Sequence, residues 1–199
     1  YSVDGGRVQF EYECTLSGMY SLSVTLGNGV DGGIAGSPFS VSVLAGGASA
    51  GESLVSVPGS VVAGQMLEWK VKAVDAFGNR VTDYVEWACV VVLGVNNDVN
   101  VSGRAGRRGA DGAVTPFTAV VTVSGTYGVH VSLVEYGDGG SVGKAVSGSP
   151  FEVSVAAAAV DATACVVEGA GASRSRAGAD GTFSILAKDK YGNARSLGA

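Results

Sequence analysis

Histidine, cysteine and charged residues, on which catalysis and metal binding depend, are scarce in this chain of 199 residues. It has one histidine and three cysteines, and only 16% of its residues are charged. The cysteines are scattered without the spacing of zinc ligands. His130 lies in an alternating strand pattern that directs it outward, and the pattern places no acid and nucleophile beside it. We therefore predict a protein that is not an enzyme and has no catalytic residue, no cofactor and no metal site.

Long hydrophobic runs are also absent. The unbroken apolar run at residues 88–93 is short even with Trp87 before it, whereas spanning a bilayer takes roughly 20 residues. We therefore predict no membrane insertion in this segment. The net charge of −5 argues against nucleic acid as a partner. The one basic cluster, Arg104, Arg107 and Arg108, lies in a glycine-rich loop without the aromatic residues that stack on bases.

Small and β-branched apolar residues are abundant. Hydrophobic residues make up 46% of the sequence, valine is frequent among them, and there are 32 glycines. Valine favours strands, and turn residues at intervals of roughly eight to twelve positions are typical of short strands joined by tight turns. The composition therefore predicts an all-β chain with almost no helix.

Three sequence features occur twice in the same order. The string GSPF with alternating valines covers residues 36–43 and 148–155, and the turn DAFGN at 75–79 returns as DKYGN at 189–193. Tyr20 and Tyr127 each follow a Ser-Gly turn at the start of a strand, and such a tyrosine is either a tyrosine corner or a plain core aromatic. The period is about 110 residues, the size of an immunoglobulin-like sandwich.

The phase of this repeat divides the chain into three parts. Residues 1–45 are predicted to be the C-terminal part of one unit, 52–156 a complete unit, and 160–199 the N-terminal part of a further unit. We expect the chain to be a window from a longer array. Half a sandwich cannot bury a core, so we expect residues 1–199 to associate head to tail and 52–156 alone to stay monomeric.

Alternation of apolar residues predicts the core of the complete unit. Trp69 is expected to be buried against Tyr127 and Phe151. Strands at 114–123 and 127–133 are expected to form a hairpin. The two partial units carry matching inward rows, which are Phe10, Tyr20, Leu22 and Phe39 in the first and Phe183, Ile185 and Ala187 in the last.

Each copy of the repeat contains one cysteine, at a different place in each unit. They are Cys14, Cys89 and Cys165. An antibody-type disulfide needs two cysteines within one unit. We therefore predict free, buried thiols and a reducing compartment. The sequon at residues 100–102 (NVS) indicates the alternative, a secreted chain.

A turn of the form D-x-[FY]-G-N, a later S-G-x-Y strand and a final G-S-P-F-x-V-x-V strand together resemble the filamin-type immunoglobulin repeat. The resemblance covers nearly the whole chain and implies β-sandwich repeats in tandem, each a seven-stranded Greek key. In that family the groove between strands C and D accepts a partner's peptide as an added strand. Here strand C would cover about residues 84–92 and strand D about 98–102. The glycine-rich segments 103–112 and 137–143 depart from the compact family pattern.

The resemblance therefore places a candidate partner-binding edge on strand C, and a proline at Val90 is expected to weaken a bound partner while leaving the fold intact. The family implies a non-enzymatic scaffold or spacer that mediates protein–protein interactions in a cytoskeletal or axonemal assembly, inside the cell or in a cilium. The alternative is an extracellular cell-surface adhesion protein of the gamete-recognition type. The expected partners are other proteins and neighbouring repeats of the same chain. The candidate edge residues are Tyr84, Glu86, Trp87, Ala88, Val90 and Val92.

Overall fold

The regular secondary structure of the described residues is almost entirely β-strand. In this computed structural model the described residues are 2–4, 7–27, 32–94, 100–102, 104–105, 112, 114–137 and 140–195. A 3-10 turn at Ala170–Ala172 is the helical element among them. Across these residues, no helix has both the length and the apolar character to span a bilayer. The strands are β1 (Ser2–Asp4), β2 (Arg7–Gln9), β3 (Gly18–Leu22), β4 (Phe39–Val43), β5 (Leu54–Ser56), β6 (Ser60–Val62), β7 (Met66–Lys72), β8 (Trp87–Leu93), β9 (Asn100–Ser102), β10 (Arg104–Ala105), β11 (Val114–Val120), β12 (Gly125–Gly137), β13 (Gly140–Ala145), β14 (Phe151–Ala156), β15 (Val166–Glu168) and β16 (Ser184–Leu186).

Two sheets form a sandwich in the middle of the chain, which we call the central sandwich (residues 46–156). One sheet has the strand order β10-β11-β7-β5, and the other has the order β6-β14-β12-β8-β9 with β13 added to β12. Neighbouring strands are antiparallel except β14 and β6, which are parallel. The early strands β5 and β6 thus lie in opposite sheets, and the last strand, β14, pairs with β6. This arrangement is that of immunoglobulin-like sandwiches. The predicted all-β, immunoglobulin-like fold is confirmed.

The core lies between the two sheets, where the inward side chains of alternate residues meet. Trp69 and Tyr127 are each 1% exposed, and Phe151 packs against the same cluster. The predicted place of Trp69 is confirmed. Each fully buried large apolar side chain contributes about 1.5–3 kcal/mol relative to exposure. The buried cluster consists of Ala63, Leu67, Trp69, Val71, Cys89, Val91, Phe117, Ala119, Val121, Tyr127, Val129, Val131, Val146, Val153 and Val155.

The predicted hairpin of residues 114–123 with 127–133 is wrong. β11 pairs with β7 in one sheet, whereas β12 pairs with β8 and β14 in the other. Alternation reveals which side chains face the core, but it is the same whichever sheet a strand joins. The sequence pattern also does not predict β6 or β13. Of the predicted glycine-rich segment 137–143, Gly137 belongs to β12 and residues 140–143 belong to β13, which pairs antiparallel with β12.

The N-terminal segment (residues 2–44) repeats part of the second sheet. Gly18 of β3 lies opposite Val43 of β4, just as Gly125 of β12 lies opposite Val155 of β14. The two strand pairs therefore share one register.

The predicted tyrosine corners are present at both copies of the repeat. The hydroxyl of Tyr20 donates to the carbonyl of Leu16, and that of Tyr127 donates to the carbonyl of Val123, both at 2.8 Å.

The C-terminal segment (residues 158–195) repeats the start of the first sheet. Val166 of β15 lies opposite Leu186 of β16, as Leu54 of β5 lies opposite Lys72 of β7. Two residues of the predicted inward row, Phe183 and Ile185, are more than half exposed, whereas the third, Ala187, is buried.

Candidate functional site

Two surfaces of the chain are candidates for function, and the first is the outer edge of β8 in the central sandwich. One side of β8 pairs with β12 along residues 87–93. On the other side β9 pairs with residues 90–92, so Val90 and Val92 lie where the outer edge is already occupied. Residues 84–86, predicted as the start of strand C, precede β8 and are not strand. Among the described strands, none pairs with the outer side of residues 85–88. Of the predicted strand D, residues 98 and 99 lie outside the described residues.

The six predicted edge residues differ in where their side chains lie. Ala88 and Val90 are exposed on the outer face of the sheet, whereas Val92 is buried there. Trp87 packs against the core. Of the six, Glu86, Trp87 and Ala88 therefore lie along the open part of the edge, with Tyr84 just before it, and whether a partner binds there stays a prediction.

A shallow groove of about 240 Å³ lies beside this open edge. It is lined by residues 84–86, residues 133–136 and Ala48. The hydroxyl of Tyr136 donates to the carboxylate of Glu86, and this hydrogen bond is the main reason why the pKa of Tyr136 is raised. The rings of Tyr84 and Tyr136 are largely exposed. Exposed aromatic rings beside an open strand edge suit the binding of a polypeptide.

The direction of the backbone amides corrects the proline expectation. The amide of Val134 donates to the carbonyl of Glu86, so Glu86 and Val134 form a hydrogen-bonded pair of the β8–β12 ladder. Such pairs alternate along an antiparallel ladder, so Val90 forms one with His130, which lies opposite it. A proline at Val90 would break the sandwich rather than the outer edge. Within β8 the outward amides therefore belong to the odd-numbered residues, beginning with Trp87.

The second surface consists of the two D-x-[FY]-G-N turns, which we call junction turns (residues 75–79 and 189–193). In the first, the carboxylate of Asp75 is 2% exposed and accepts hydrogen bonds from the backbone amides of Phe77 and Asn79. It also accepts from the amide side chain of Asn79 and from the backbone amide of Gly46, at 2.9 and 2.8 Å. One carboxylate thus holds the turn and the preceding linker together.

The side chain of Asn79 also contacts the N-terminal segment. Its Nδ2 donates to the carbonyl of Thr15 at 2.7 Å, and its Oδ1 accepts from the backbone amide of Ser17 at 2.8 Å. These bonds connect positions more than 60 residues apart in the chain. The first junction turn therefore joins the central sandwich to the segment before it.

The second junction turn makes the same bonds one repeat later. Nδ2 of Asn193 donates to the carbonyl of Thr122 at 2.7 Å, and its Oδ1 accepts from the amide of Ser124 at 2.8 Å. The carboxylate of Asp189 accepts from Asn193 and from the linker amide of Ala158. The second turn therefore joins the C-terminal segment to the central sandwich.

Both aspartates are ionised down to very low pH. Burial by itself would raise the pKa of Asp75, but the hydrogen bonds from the Asn79 side chain and from three backbone amides lower it to about 2. The pKa of Asp189 is lowered to about 2 against the same burial effect, by Asn193, Ala158 and Tyr191. A carboxylate that accepts several N–H bonds is stabilised in its charged form.

The sequence pattern predicts these turns but not their partners. Gly and Asn in the turn indicate a tight bend. The local pattern gives no information about which distant residues the turn contacts. A further signal was present, because the Thr-x-Ser of residues 15–17 also returns at residues 122–124 in phase with the turns. This recurrence marks the bend, like the turn, as a feature shared by the repeats.

Metal-binding clusters and disulfides are absent from the part of the chain that the structure describes. There, no three His, Cys, Asp or Glu side chains converge as metal ligands would. Cys14, Cys89 and Cys165 are free thiols, and Cys89 is buried in the sandwich core.

Comparison with solved structures finds similar folds. The filamin domain of Lin-41 is 12% identical, with a TM-score of 0.42 over 55% of this chain and 97% of that domain. InvD of Yersinia pseudotuberculosis is 18% identical, with a TM-score of 0.50 over 90% of this chain and 52% of the InvD chain. This chain thus spans about half the length of the InvD chain. No family model matches the sequence, and no curated protein matches it.

Proposed function

We propose that this chain is a non-enzymatic scaffold or spacer built from immunoglobulin-like units in series, which mediates protein–protein interactions in a large assembly. The units are those that the repeat predicts, at residues 1–45, 52–156 and 160–199. The observation that carries the proposal is the recurrence of strand register, since β3–β4 copies β12–β14 and β15–β16 copies β5–β7. Units that recur along a chain, each in contact with its neighbours, suit a spacer.

We place the protein inside the cell, in a cytoskeletal or ciliary assembly. Three free cysteines in one chain favour a reducing compartment. The filamin resemblance adds the cytoskeletal setting as an expectation. Titrating the thiols of protein isolated from its own cells, together with mass spectrometry of the peptide containing Asn100, tests the compartment. Free thiols and an unmodified Asn100 support the intracellular scaffold, whereas a glycan on Asn100 supports the cell-surface adhesion alternative.

Partner proteins would add a strand to the open edge at residues 85–88. The amide of Trp87 points outward there and can supply affinity, and the groove with Tyr84 and Tyr136 supplies pockets for alternate side chains.

Two substitutions at Val85 test this edge. Val85 lines the groove just before β8, where an added strand would extend beyond Trp87. Val85→Pro removes its backbone amide, and Val85→Ala changes the side chain but keeps the amide. The sandwich of residues 46–156, immobilised and exposed to a lysate of its own cells, should retain a set of proteins in wild type and Val85→Ala. Val85→Pro should fold, as shown by circular dichroism, and lose that set. Equal retention by all three folded proteins would exclude binding through the backbone edge.

A further inference from the structure

The two junction turns occupy equivalent positions and make equivalent contacts. We propose that the Asp-x-aromatic-Gly-Asn turn is an interlock that holds each unit at one fixed orientation to the unit before it, so that the array is a stiff rod. The partner of each turn is the preceding unit of the same chain, at the Thr-x-Ser bend before its tyrosine-corner strand. This inference rests on the division into units proposed above, but it is independent of binding at the β8 edge.

The asparagine side chain fits its surroundings in one orientation only. At each junction, Oδ1 faces a backbone N–H of the bend, while Nδ2 lies between a bend carbonyl and the turn's own carboxylate. Corresponding distances at Asn79 and Asn193 are 2.8 and 2.8 Å to the amide, 2.7 and 2.7 Å to the carbonyl, and 2.9 and 2.8 Å to the carboxylate. A rotated amide would place donor against donor at the first contact. The bonds therefore define an orientation as well as a contact.

The linker between units is held by the same carboxylate. Gly46 and Ala158, the linker residues that enter the central sandwich and the C-terminal segment, donate their amides to Asp75 and Asp189 at 2.8 and 2.7 Å. At the second junction the guanidinium of Arg195 also donates to the carbonyl of Ala158 at 2.9 Å. Each linker is thus bound where it meets the turn, and it cannot swivel freely while the interlock is closed.

A contact between a tyrosine ring and a glycine is the third connection between units at the second junction. The phenol of Tyr191 lies over Gly64, where a Cβ on Gly64 would collide with the ring. The amide of Gly64 donates to the carbonyl of Val121, directly before the bend that Asn193 contacts. Three separated contacts of this kind, to the linker, the bend and Gly64, resist rotation about every axis.

Amide hydrogen exchange in the 199-residue chain tests the interlock at single residues. The amides of Ser17 and Ser124 each donate to a junction asparagine, so both should be protected in the wild type. Asn193→Asp keeps the shape but turns a donor into an anionic oxygen beside Asp189. It should speed exchange at Ser124 by about tenfold or more and leave Ser17 unchanged. Asn79→Asp should do the reverse, so each junction is a control for the other.

A control for charge and a second variant keep this test decisive. Gln65→Glu adds the same charge on the exposed surface beside Gly64 and should change neither amide. Gly64→Ala should also release Ser124, because it pushes Tyr191 away. Gly94→Ala is the matched control, because it places a Cβ at a similar positive φ, +62 at Gly94 against +80 at Gly64. A Cβ added at Gly94 meets no neighbouring atom. Gly94→Ala should leave Ser124 protected.

The stiffness itself is measured by ¹⁵N relaxation. The central sandwich and the C-terminal segment should tumble with one correlation time in the wild type, and with two in Asn193→Asp and in Gly64→Ala. Separate correlation times in the wild type, or unprotected Ser17 and Ser124, would overturn the interlock. Neither result would affect capture of partners by residues 46–156, so failure of the interlock is distinguishable from failure of the proposed function.

Discussion

The indole ring of Trp69 stacks on the phenyl ring of Phe117, with ring centroids 5.8 Å apart and planes 12° from parallel. The two residues lie opposite each other in the pair β7–β11. This cross-strand contact lies in the middle of the core. It joins β7, which precedes the first junction turn, to β11, which precedes the tyrosine corner of Tyr127. Opposed aromatic residues on one face stabilise a sheet beyond their burial.

Replacing Trp69 by alanine should therefore destabilise the central sandwich strongly. Emptying a large aromatic from a core costs about 3–5 kcal/mol, and this side chain is 1% exposed. The measurement is denaturant unfolding of residues 46–156. Phe183→Ala in the 199-residue chain is the control, because Phe183 holds the same repeat position but is 58% exposed. A loss below about 1 kcal/mol for Trp69→Ala would contradict the core described here.

The three thiols should differ in reactivity. Cys14 and Cys165 are partly exposed, whereas Cys89 is buried, and burial raises the pKa of its thiol to about 11. Because the thiolate is the nucleophile, two cysteines should react with a thiol reagent at pH 8 in the native chain and the third only after unfolding. Mass spectrometry identifies the labelled positions. Fast labelling of Cys89 in the folded protein would show that the sandwich is open at β8.

Acid should weaken the fold through Asp75 and Asp189 in a narrow range. Their pKa of about 2 in the folded chain lies below the ordinary value of 3.8. Their contribution is therefore complete above about pH 4 and is lost as the pH falls toward 2. Denaturant midpoints measured from pH 6 to pH 2 should fall in that range. In Asp75→Asn the denaturant midpoint should fall less over this pH range, because one of the two titrating aspartates is gone. If the midpoint falls equally with pH in Asp75→Asn and in the wild type, this assignment is wrong.

Polypeptides of different length should differ in association. The flanking segments expose apolar residues on their inward faces, among them Phe10, Phe39, Phe183 and Ile185. The same repeat positions are packed together in the central sandwich, so the late strands of one molecule can cover the early strands of another. Residues 1–199 should form concentration-dependent oligomers in light scattering.

Residues 46–156 alone should stay monomeric. This polypeptide starts before the predicted boundary at residue 52, because Ala50 is buried and its carbonyl accepts the amide of Ser147. A monomeric, monodisperse 1–199 would contradict the division into partial and complete units. Association of residues 46–156 would instead assign the contact to the sandwich itself.

The sequence by itself determined the features that depend on local pattern and on repetition. Alternation placed Trp69 and Tyr127 inside, because a residue's side of a strand follows from a period of two. Recurrence placed both tight turns and both tyrosine corners, because a backbone bend depends on a few adjacent residues. The all-β class and the size of the unit followed from the same signals.

Only the tertiary structure decided which strands and which turns meet. β11 and β12 are adjacent in the chain yet lie in opposite sheets, and β9 covers part of the edge that the resemblance left open at Val90. Asn79 and Asn193 look like ordinary turn residues in the sequence, but their amides bind bends more than 60 residues away. Pairing between distant segments depends on the packing of the whole chain, and neither alternation nor turn chemistry carries that information.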